Sequence, residues 1–205
     1  MTAISVLLFY LSNNALTQTI IIGTQTWTAR NLNVITFKNG DTIPEAKTNA
    51  EWNSAGESGS PAWCYYNNDP SNGKYYGKLY NWYAVSDPRG LAPKGWHVPS
   101  NDEWTILSNF LGGESVAGTK MKSQKGWHNN GNGSNSNGFT AIPGGNRFFS
   151  NGNFIGIGYI GEWWSSSVFN SIYVWIRNLY FAYAHLASGA CSCKNYGLSV
   201  RCLRD

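Results

Sequence analysis

The sequence predicts an α+β domain with short strands, two or three short helices and long irregular loops. Only 13% of the 205 residues are charged, whereas 15% are aromatic and 23 residues are Gly. The low charge excludes a coiled coil and a charge-driven disordered protein, and the aromatic residues supply a core. Helix signals come early in the chain and strand signals come late, which is typical of α+β proteins.

The first part of the chain predicts a hairpin, a short helix and a loop. Residues 19–27 are rich in Ile and Thr around a turn-like Gly, a pattern that indicates two paired strands. Thr48 and Glu51 form a capping box that begins a short helix, which Gly56 soon ends. Residues 60–77 are rich in Tyr, Asn and Pro, so we expect an irregular loop with buried rings.

The clearest helix signal lies at residues 99–104, Pro-Ser-Asn-Asp-Glu-Trp. Ser100 can cap the helix while the Glu103 side chain reaches back to the capped backbone. Apolar residues then follow at helical spacing and are expected in the core: Trp104, Leu107, Phe110 and Leu111. A second short helix is expected over residues 114–122.

The second part of the chain predicts a polar loop followed by strands. Residues 126–138 are dominated by Asn, Gly and Ser, which indicates a surface loop. Strands are expected at residues 139–142, 147–149, 154–159, 163–167, 173–183 and 197–203. If the alternate residues from Trp175 to Phe181 face the core, then Val174, Ile176, Asn178, Tyr180 and Ala182 face outward. The opposite register stays open at this point.

Residues 1–19 form a separate N-terminal apolar segment, which leaves residues 20–205 as the domain. The apolar run has the length of a signal-peptide core, but no Lys or Arg precedes it. Two interpretations stay open: an export signal, or an oligomerisation segment that forms a homo-oligomer. No apolar stretch is long enough for a membrane span, and no Lys/Arg cluster predicts a nucleic-acid partner.

The residues indicate neither an enzyme nor a cofactor or metal site. None of the three His residues lies in a recognisable catalytic motif, and the carboxylates are too few for a glycosidase pair. Cys191 and Cys193 are too close along a strand to pair, and they lack the spacing of a zinc site. A disulfide between Cys64 and Cys202 is plausible outside a reducing cytoplasm.

Seven short motifs, in order along the chain, resemble the Fibrobacter succinogenes major paralogous domain. They lie at residues 22–27, 30–34, 77–82, 95–100, 103–104, 163–166 and 197–202. The resemblance implies a C-type lectin-like fold over residues 20–205, similar to formylglycine-generating enzymes and to the variable proteins of diversity-generating retroelements. It also implies a surface or secreted protein of Bacteroidetes-type bacteria, and it implies fold more strongly than function. We expect an extracellular or cell-surface protein, or a phage virion protein.

Residues 168–196 form the segment in which a recognition surface is expected. Many of its residue types can be reached by changing the adenines of an Asn codon, as in retroelement-diversified proteins, and Tyr among small residues resembles an antibody paratope. The predicted ligand-contacting residues are Asn170, Tyr173, Ile176, Asn178, Tyr180, Ala182, Tyr183, His185, Ala187, Gly189, Cys191 and Cys193. An ordinary pair of core strands with an irregular loop is the alternative.

We therefore expect a non-catalytic domain that binds a protein or glycan receptor on a cell surface and needs no cofactor. The first alternative is a structural or assembly module of a surface appendage or phage tail. The second is a formylglycine-generating-like oxidase that uses the cysteines.

Overall fold

A computed structural model describes residues 18–205, so residues 1–17 of the predicted N-terminal segment lie outside the described residues. This part of the chain forms an α+β fold. Its α-helices are α1 (Asn49–Glu57), α2 (Pro70–Tyr76), α3 (Trp82–Val85), α4 (Asn101–Phe110) and α5 (Glu114–Met121). Its strands are β1 (Thr19–Ile22), β2 (Gln25–Thr28), β3 (Trp63–Cys64), β4 (Leu79–Tyr80), β5 (Trp96–His97), β6 (Gly144–Arg147), β7 (Phe154–Ile157), β8 (Ile160–Val168), β9 (Val174–Tyr180), β10 (Ala187–Cys191) and β11 (Leu203–Arg204).

The strands form two larger sheets and two isolated pairs. A four-stranded sheet has the order β1-β2-β11-β5, so the two ends of the domain lie side by side. A three-stranded antiparallel sheet has the order β10-β9-β8, and the remaining pairs are β3-β4 and β6-β7. The hairpin predicted at residues 19–27 is confirmed: β1 pairs with β2 around Gly23, whose φ of 62° is a conformation that Gly adopts without strain.

Both predicted capping boxes are confirmed. The Thr48 hydroxyl accepts a hydrogen bond from the Glu51 backbone N–H, and the Glu51 carboxylate accepts one from the Thr48 N–H. Ser100 and Glu103 make the same reciprocal pair at the start of α4. α5 follows where a second helix was expected.

The expected number of helices was too low, because residues 60–77 are not wholly irregular. They contain α2, which begins with Pro70 and is capped by the Asp69 side chain, an acceptor from Ser71 N–H at 2.9 Å. The Asn81 side chain caps α3 in the same way, accepting from Ala84 N–H at 3.0 Å. These helices depend on local caps and lack the repeated apolar spacing by which longer helices are found.

Two of the predicted strands are wrong, and the strand predicted at 147–149 is displaced, because β6 shares only Arg147 with it. Residues 139–142 contribute one isolated bridge, between Ala141 and Lys122. Within residues 197–203, Gly197, Leu198 and Ser199 each bridge a different part of the chain, and a regular strand begins only at Leu203. The apolar alternation at residues 197–203 therefore reflects side chains that are buried in the core, and these residues do not form one regular strand. The edge strand β10 was not predicted.

The core divides around the three-stranded sheet. Trp163 and Trp164 are adjacent in β8 and both are fully buried, yet they belong to different hydrophobic clusters. Trp163 joins Trp104, whose ring centroid lies 4.8 Å from that of Trp27. Leu107 and Leu111 are buried as expected, but Phe110 is 63% exposed. Within residues 18–205, none of the helices has the length and apolar composition needed to cross a bilayer.

Candidate recognition surface

The strand register brings half of the predicted contact residues onto one face of the three-stranded sheet. Directly opposed residues share a face, and both Asn178–Ala187 and Ile176–Gly189 are opposed across β9 and β10. The six residues that this register places on one face are Ile176, Asn178, Tyr180, Ala187, Gly189 and Cys191. The other six lie in the segments that flank these strands.

None of the twelve predicted contact residues is buried. Asn170, Tyr173, Ala182 and Tyr183 are exposed, and the others are half-buried. On the opposite face of β9, Arg177 and Leu179 are buried, which agrees with the register in which they face the core. Val174 is a correction: this register places it on the face of the six strand residues, but it is fully buried because a second core cluster covers that end of the same face. Ile176 and Cys191 pack against this cluster too, so only part of the face is free for a ligand.

Exposed apolar side chains are grouped at residues 168–173, which comprise the last residue of β8 and the segment that joins it to β9. We call these residues the hairpin tip. Val168, Phe169 and Ile172 are each more than half exposed, and Tyr173 is 39% exposed. Asn170 shapes the tip, because its side-chain oxygen accepts hydrogen bonds from the N–H groups of Ile172 and Tyr173, both at 2.9 Å. Asn170 therefore has a turn-forming role that the sequence did not indicate.

A row of aromatic rings, the aromatic ladder, occupies the other end of β9. Tyr159 stacks on His128 at a centroid distance of 4.2 Å and meets Phe181 edge-on at 5.5 Å. Tyr183 continues the row, 5.5 Å from Tyr180 and 5.2 Å from His185. The members are His128, Tyr159, Phe181, Tyr180, Tyr183 and His185. Most of these rings are thus already packed against one another.

Lys122 anchors the turn that carries the ladder. Its ammonium donates hydrogen bonds to the carbonyl oxygens of Tyr180, Phe181 and Tyr183, at 2.6, 3.1 and 2.7 Å, and lies 4.8 Å from the Trp127 ring centroid. Three N–H donors meet three carbonyl acceptors. Burial lowers the pKa of Lys122 to about 8. No sequence signal predicted this role of Lys122, and the surface loop predicted at residues 126–138 is wrong at Trp127, which is buried.

Arg177 fastens the hidden face of β9 to the helices. Its guanidinium donates to the Glu114 carboxylate at 2.6 Å, and to the Asn101 side-chain oxygen and the Thr105 hydroxyl, both at 2.8 Å. These bonds reach the first turns of α4 and α5. Arg177 therefore ties the buried face of the sheet to these helices, whereas the hairpin tip is exposed to solvent.

Glu162, which is mostly buried, lies on the same face as the six strand residues, opposite Asn178. Asn146 donates a hydrogen bond to its carboxylate at 2.5 Å. Burial nevertheless raises the pKa of Glu162 above its ordinary value. This carboxylate is therefore an ionisable group directly opposite one of the predicted contact residues, Asn178.

The four cysteines are free thiols, so the predicted bond between Cys64 and Cys202 is absent. Those two side chains are buried in different hydrophobic clusters. Burial raises the pKa of Cys64 and of Cys202 to about 12 and that of Cys191 to about 11. Such thiols stay protonated at neutral pH, and a protonated thiol is a poor nucleophile and metal ligand.

His97 joins the N-terminus of α4 to the end of the chain. Its two ring nitrogens lie 2.9 Å from the carboxylates of Glu103 and Asp205. Desolvation lowers the pKa of His97, but the two carboxylates outweigh it and raise the pKa above its ordinary value. Among residues 18–205, no three side chains of His, Cys, Asp or Glu are grouped closely enough to hold a metal ion.

A family model described as the Fibrobacter succinogenes major domain matches residues 20–204. The match contains the hairpin tip, the aromatic ladder and every element from β2 to β11. Neither a curated protein nor a solved structure shows significant similarity to the chain.

Proposed function

The chain belongs to the Fibrobacter succinogenes major domain family, and from that premise we propose that it is a non-catalytic domain that binds a protein or glycan receptor on a cell surface. The proposal includes a C-type lectin-like architecture and a position outside the cell or on a phage virion. The contact surface is built from residues 168–196 and centres on the hairpin tip.

The exposure of the hairpin tip is the observation that carries this proposal. Within six residues the chain presents Val168, Phe169, Ile172 and Tyr173 to solvent, at exposed fractions of 58, 53, 59 and 39%. Contiguous exposed apolar side chains are uncommon on monomeric proteins and mark interaction sites. Aromatic side chains among them offer a large contact area at a low cost in conformational entropy.

The scaffold beneath the tip supports the same proposal. Trp163, Trp164 and Arg177 are buried, and they fix β8 and β9 to both core clusters and to the helices. A surface held on a rigid sheet loses less entropy on binding than a flexible loop does.

Matched pairs of exposed residues test the proposed surface. The variant Phe169→Ala/Ile172→Ala changes the tip, and Phe110→Ala/Ile106→Ala makes the same changes on α4, where these side chains are 63 and 50% exposed. The probes are a printed glycan array and a displayed library of cell-surface protein ectodomains. We expect the tip variant to bind its best partner at least tenfold more weakly, because interface anchors contribute about 1–3 kcal/mol each.

The control variant should bind that partner like the unmodified protein. Equal binding by the two double variants would overturn the assignment of the tip as the contact surface. Absence of binding, together with self-association that depends on residues 1–17, would favour the assembly module instead.

Sequencing codons 165–197 across a population of the source organism tests diversification separately. Retroelement-driven variation predicts substitutions at template adenines, in codons of the exposed residues, with unchanged codons for Trp163 and Trp164. A uniform sequence would reject diversification and leave a fixed binding surface.

A further inference from the structure

A cavity of about 470 Å³ lies beside the start of the domain, lined partly by the segment after β2. Its twelve lining residues include the three cations Arg30, Lys125 and Arg201, and none of them is acidic. Neither the hairpin tip nor the aromatic ladder contributes a residue to it. The cavity is therefore distinct from the proposed recognition surface, and its ligand need not be the same.

Arg201 is a fixed hydrogen-bond donor in the wall of this cavity. The side chain is 1% exposed, and its guanidinium donates to Asn31 Oδ1 at 2.8 Å and to three backbone carbonyls. A guanidinium has five N–H groups. Four of them are used by these bonds, so one N–H on Nη2 has no acceptor among residues 18–205.

The charge of Arg201 has no counter-charge in the described part of the chain. No carboxylate there forms an ion pair with it, whereas the buried Arg177 is paired with Glu114. The ring of Phe139, 4.3 Å from the guanidinium carbon, gives partial compensation. Burial lowers the pKa of Arg201 to about 9, which still leaves it charged at neutral pH. A buried cation without an anion is costly unless something supplies the missing charge.

The rim repeats the positive charge and adds an apolar wall. Arg30 and Lys125 are exposed, and both line the cavity with Arg201. Tyr75, 47% exposed, and Ile142 supply ring and methyl groups to the same cavity. Three cations without an acid would repel a cationic ligand and favour an anionic one.

We propose that this cavity binds a small organic anion, with its carboxylate, phosphate or sulfate oxygens contacted by Arg201 and attracted by Arg30 and Lys125. The organic part packs against Tyr75. Cavities of this volume suit compact ligands, and a single sugar ring that carries an acidic group satisfies both the size and the charge.

Calorimetric titration of the full chain with four probes tests the site: glucuronate, glucose 6-phosphate, inorganic phosphate and uncharged glucose. We expect the two sugar anions to bind more tightly than phosphate, no binding of glucose, and weaker binding at high salt because the site is electrostatic. Glucose binding as well as its anions would overturn the proposal, as would no binding of any anion.

Arg30→Gln/Lys125→Gln is the decisive variant, because both side chains are exposed and Arg30 loses by it one long, exposed hydrogen bond, to Gln18 Oε1 at 3.4 Å. The matched control is Lys47→Gln/Lys94→Gln, which removes the same charge at exposed sites outside the cavity. We expect at least a tenfold loss of sugar-anion affinity in the first variant and less than a twofold change in the control. Equal losses would show a general charge effect and reject the site. Retention of anion binding by Phe169→Ala/Ile172→Ala would separate this site from the proposed receptor surface.

Discussion

The two ends of β9 differ in how their aromatic side chains are supported. At the hairpin tip, Phe169 and Tyr173 are exposed, and the backbone there depends on hydrogen bonds to Asn170 within the tip. At the far end, the rings of the aromatic ladder stack on one another, and Lys122 holds the turn through three hydrogen bonds. At one end of the strand the rings are largely exposed and meet only at their edges, as Phe169 meets Trp175 at 4.9 Å, whereas at the other end they are packed in a row.

This difference separates residues that are free for a ligand from residues that maintain the fold. Tyr180 is half-buried among neighbouring rings, so replacing it alters the turn as well as the surface. Tyr173 can change without such a cost, because it is exposed at the tip. Exposure together with the absence of strong internal contacts, and not residue type alone, is the better guide to a contact residue.

Of the substitutions considered, removal of a core ring beneath the sheet has the largest expected effect on the free energy of unfolding. Trp104→Ala should lower the free energy of unfolding by about 3–5 kcal/mol, because it empties a fully buried ring site next to Trp27 and Trp163. Denaturant unfolding measures the change. Ile106→Ala on the same helix, at a position 50% exposed, should cost less than about 1 kcal/mol. Similar losses in the two variants would contradict the core assignment.

Lys122→Met should damage only one of the two ends. We expect a loss of about 2–3 kcal/mol in stability, because three carbonyl groups lose a charged donor. Hydrogen exchange should quicken at residues 180–186 and stay unchanged at the hairpin tip. The control Lys120→Met removes a single bond from an exposed residue, to the Leu111 carbonyl at 2.7 Å, and should cost less than about 1 kcal/mol. Faster exchange at both ends would show that they are coupled.

Local signals in the sequence predicted much of the fold. The two capping boxes and the first hairpin were found because the interacting residues lie within a few positions of each other. Lys122 was missed because its carbonyl partners lie 58 to 61 residues further along the chain. The disulfide prediction failed for the same reason, since spacing says nothing of which cluster buries each thiol.

At the candidate site, too, local patterns were predicted from the sequence and contacts between distant residues were not. Composition and alternation predicted twelve contact residues, and none of them is buried in the structure. Arg177 and Leu179 are buried, as the predicted register of β9 requires. The sequence did not show that core lies on both sides of the sheet, which buries Val174. Nor did it indicate that Asn170 forms a turn, because that role appears only in the backbone geometry of the tip.

A pH titration gives the smallest expected effect and compares the two ends without a mutation. Burial lowers the pKa of Lys122 to about 8, and the unfolded chain has the ordinary value of about 10.4. Between these values the unfolded chain binds the proton and the folded chain does not. Proton linkage alone therefore makes the protein more stable as the pH rises through this window, and this pH-dependent gain is absent below about pH 8, where the ammonium keeps its three hydrogen bonds.

Deprotonation of Lys122 accompanies a rise in overall stability, but it weakens the hydrogen bonding of the turn that Lys122 anchors. A neutral amine has two N–H donors, so one of the three carbonyls, those of Tyr180, Phe181 and Tyr183, loses its hydrogen bond as the pH passes about 8. Amide NMR signals of residues 180–186 should shift with that midpoint, whereas those of Phe169 and Ile172 should not. The shift should disappear in Lys122→Met. A midpoint near 10 would show that the three carbonyls stabilise the ammonium more than burial destabilises it, and the turn would then stay anchored across the physiological range.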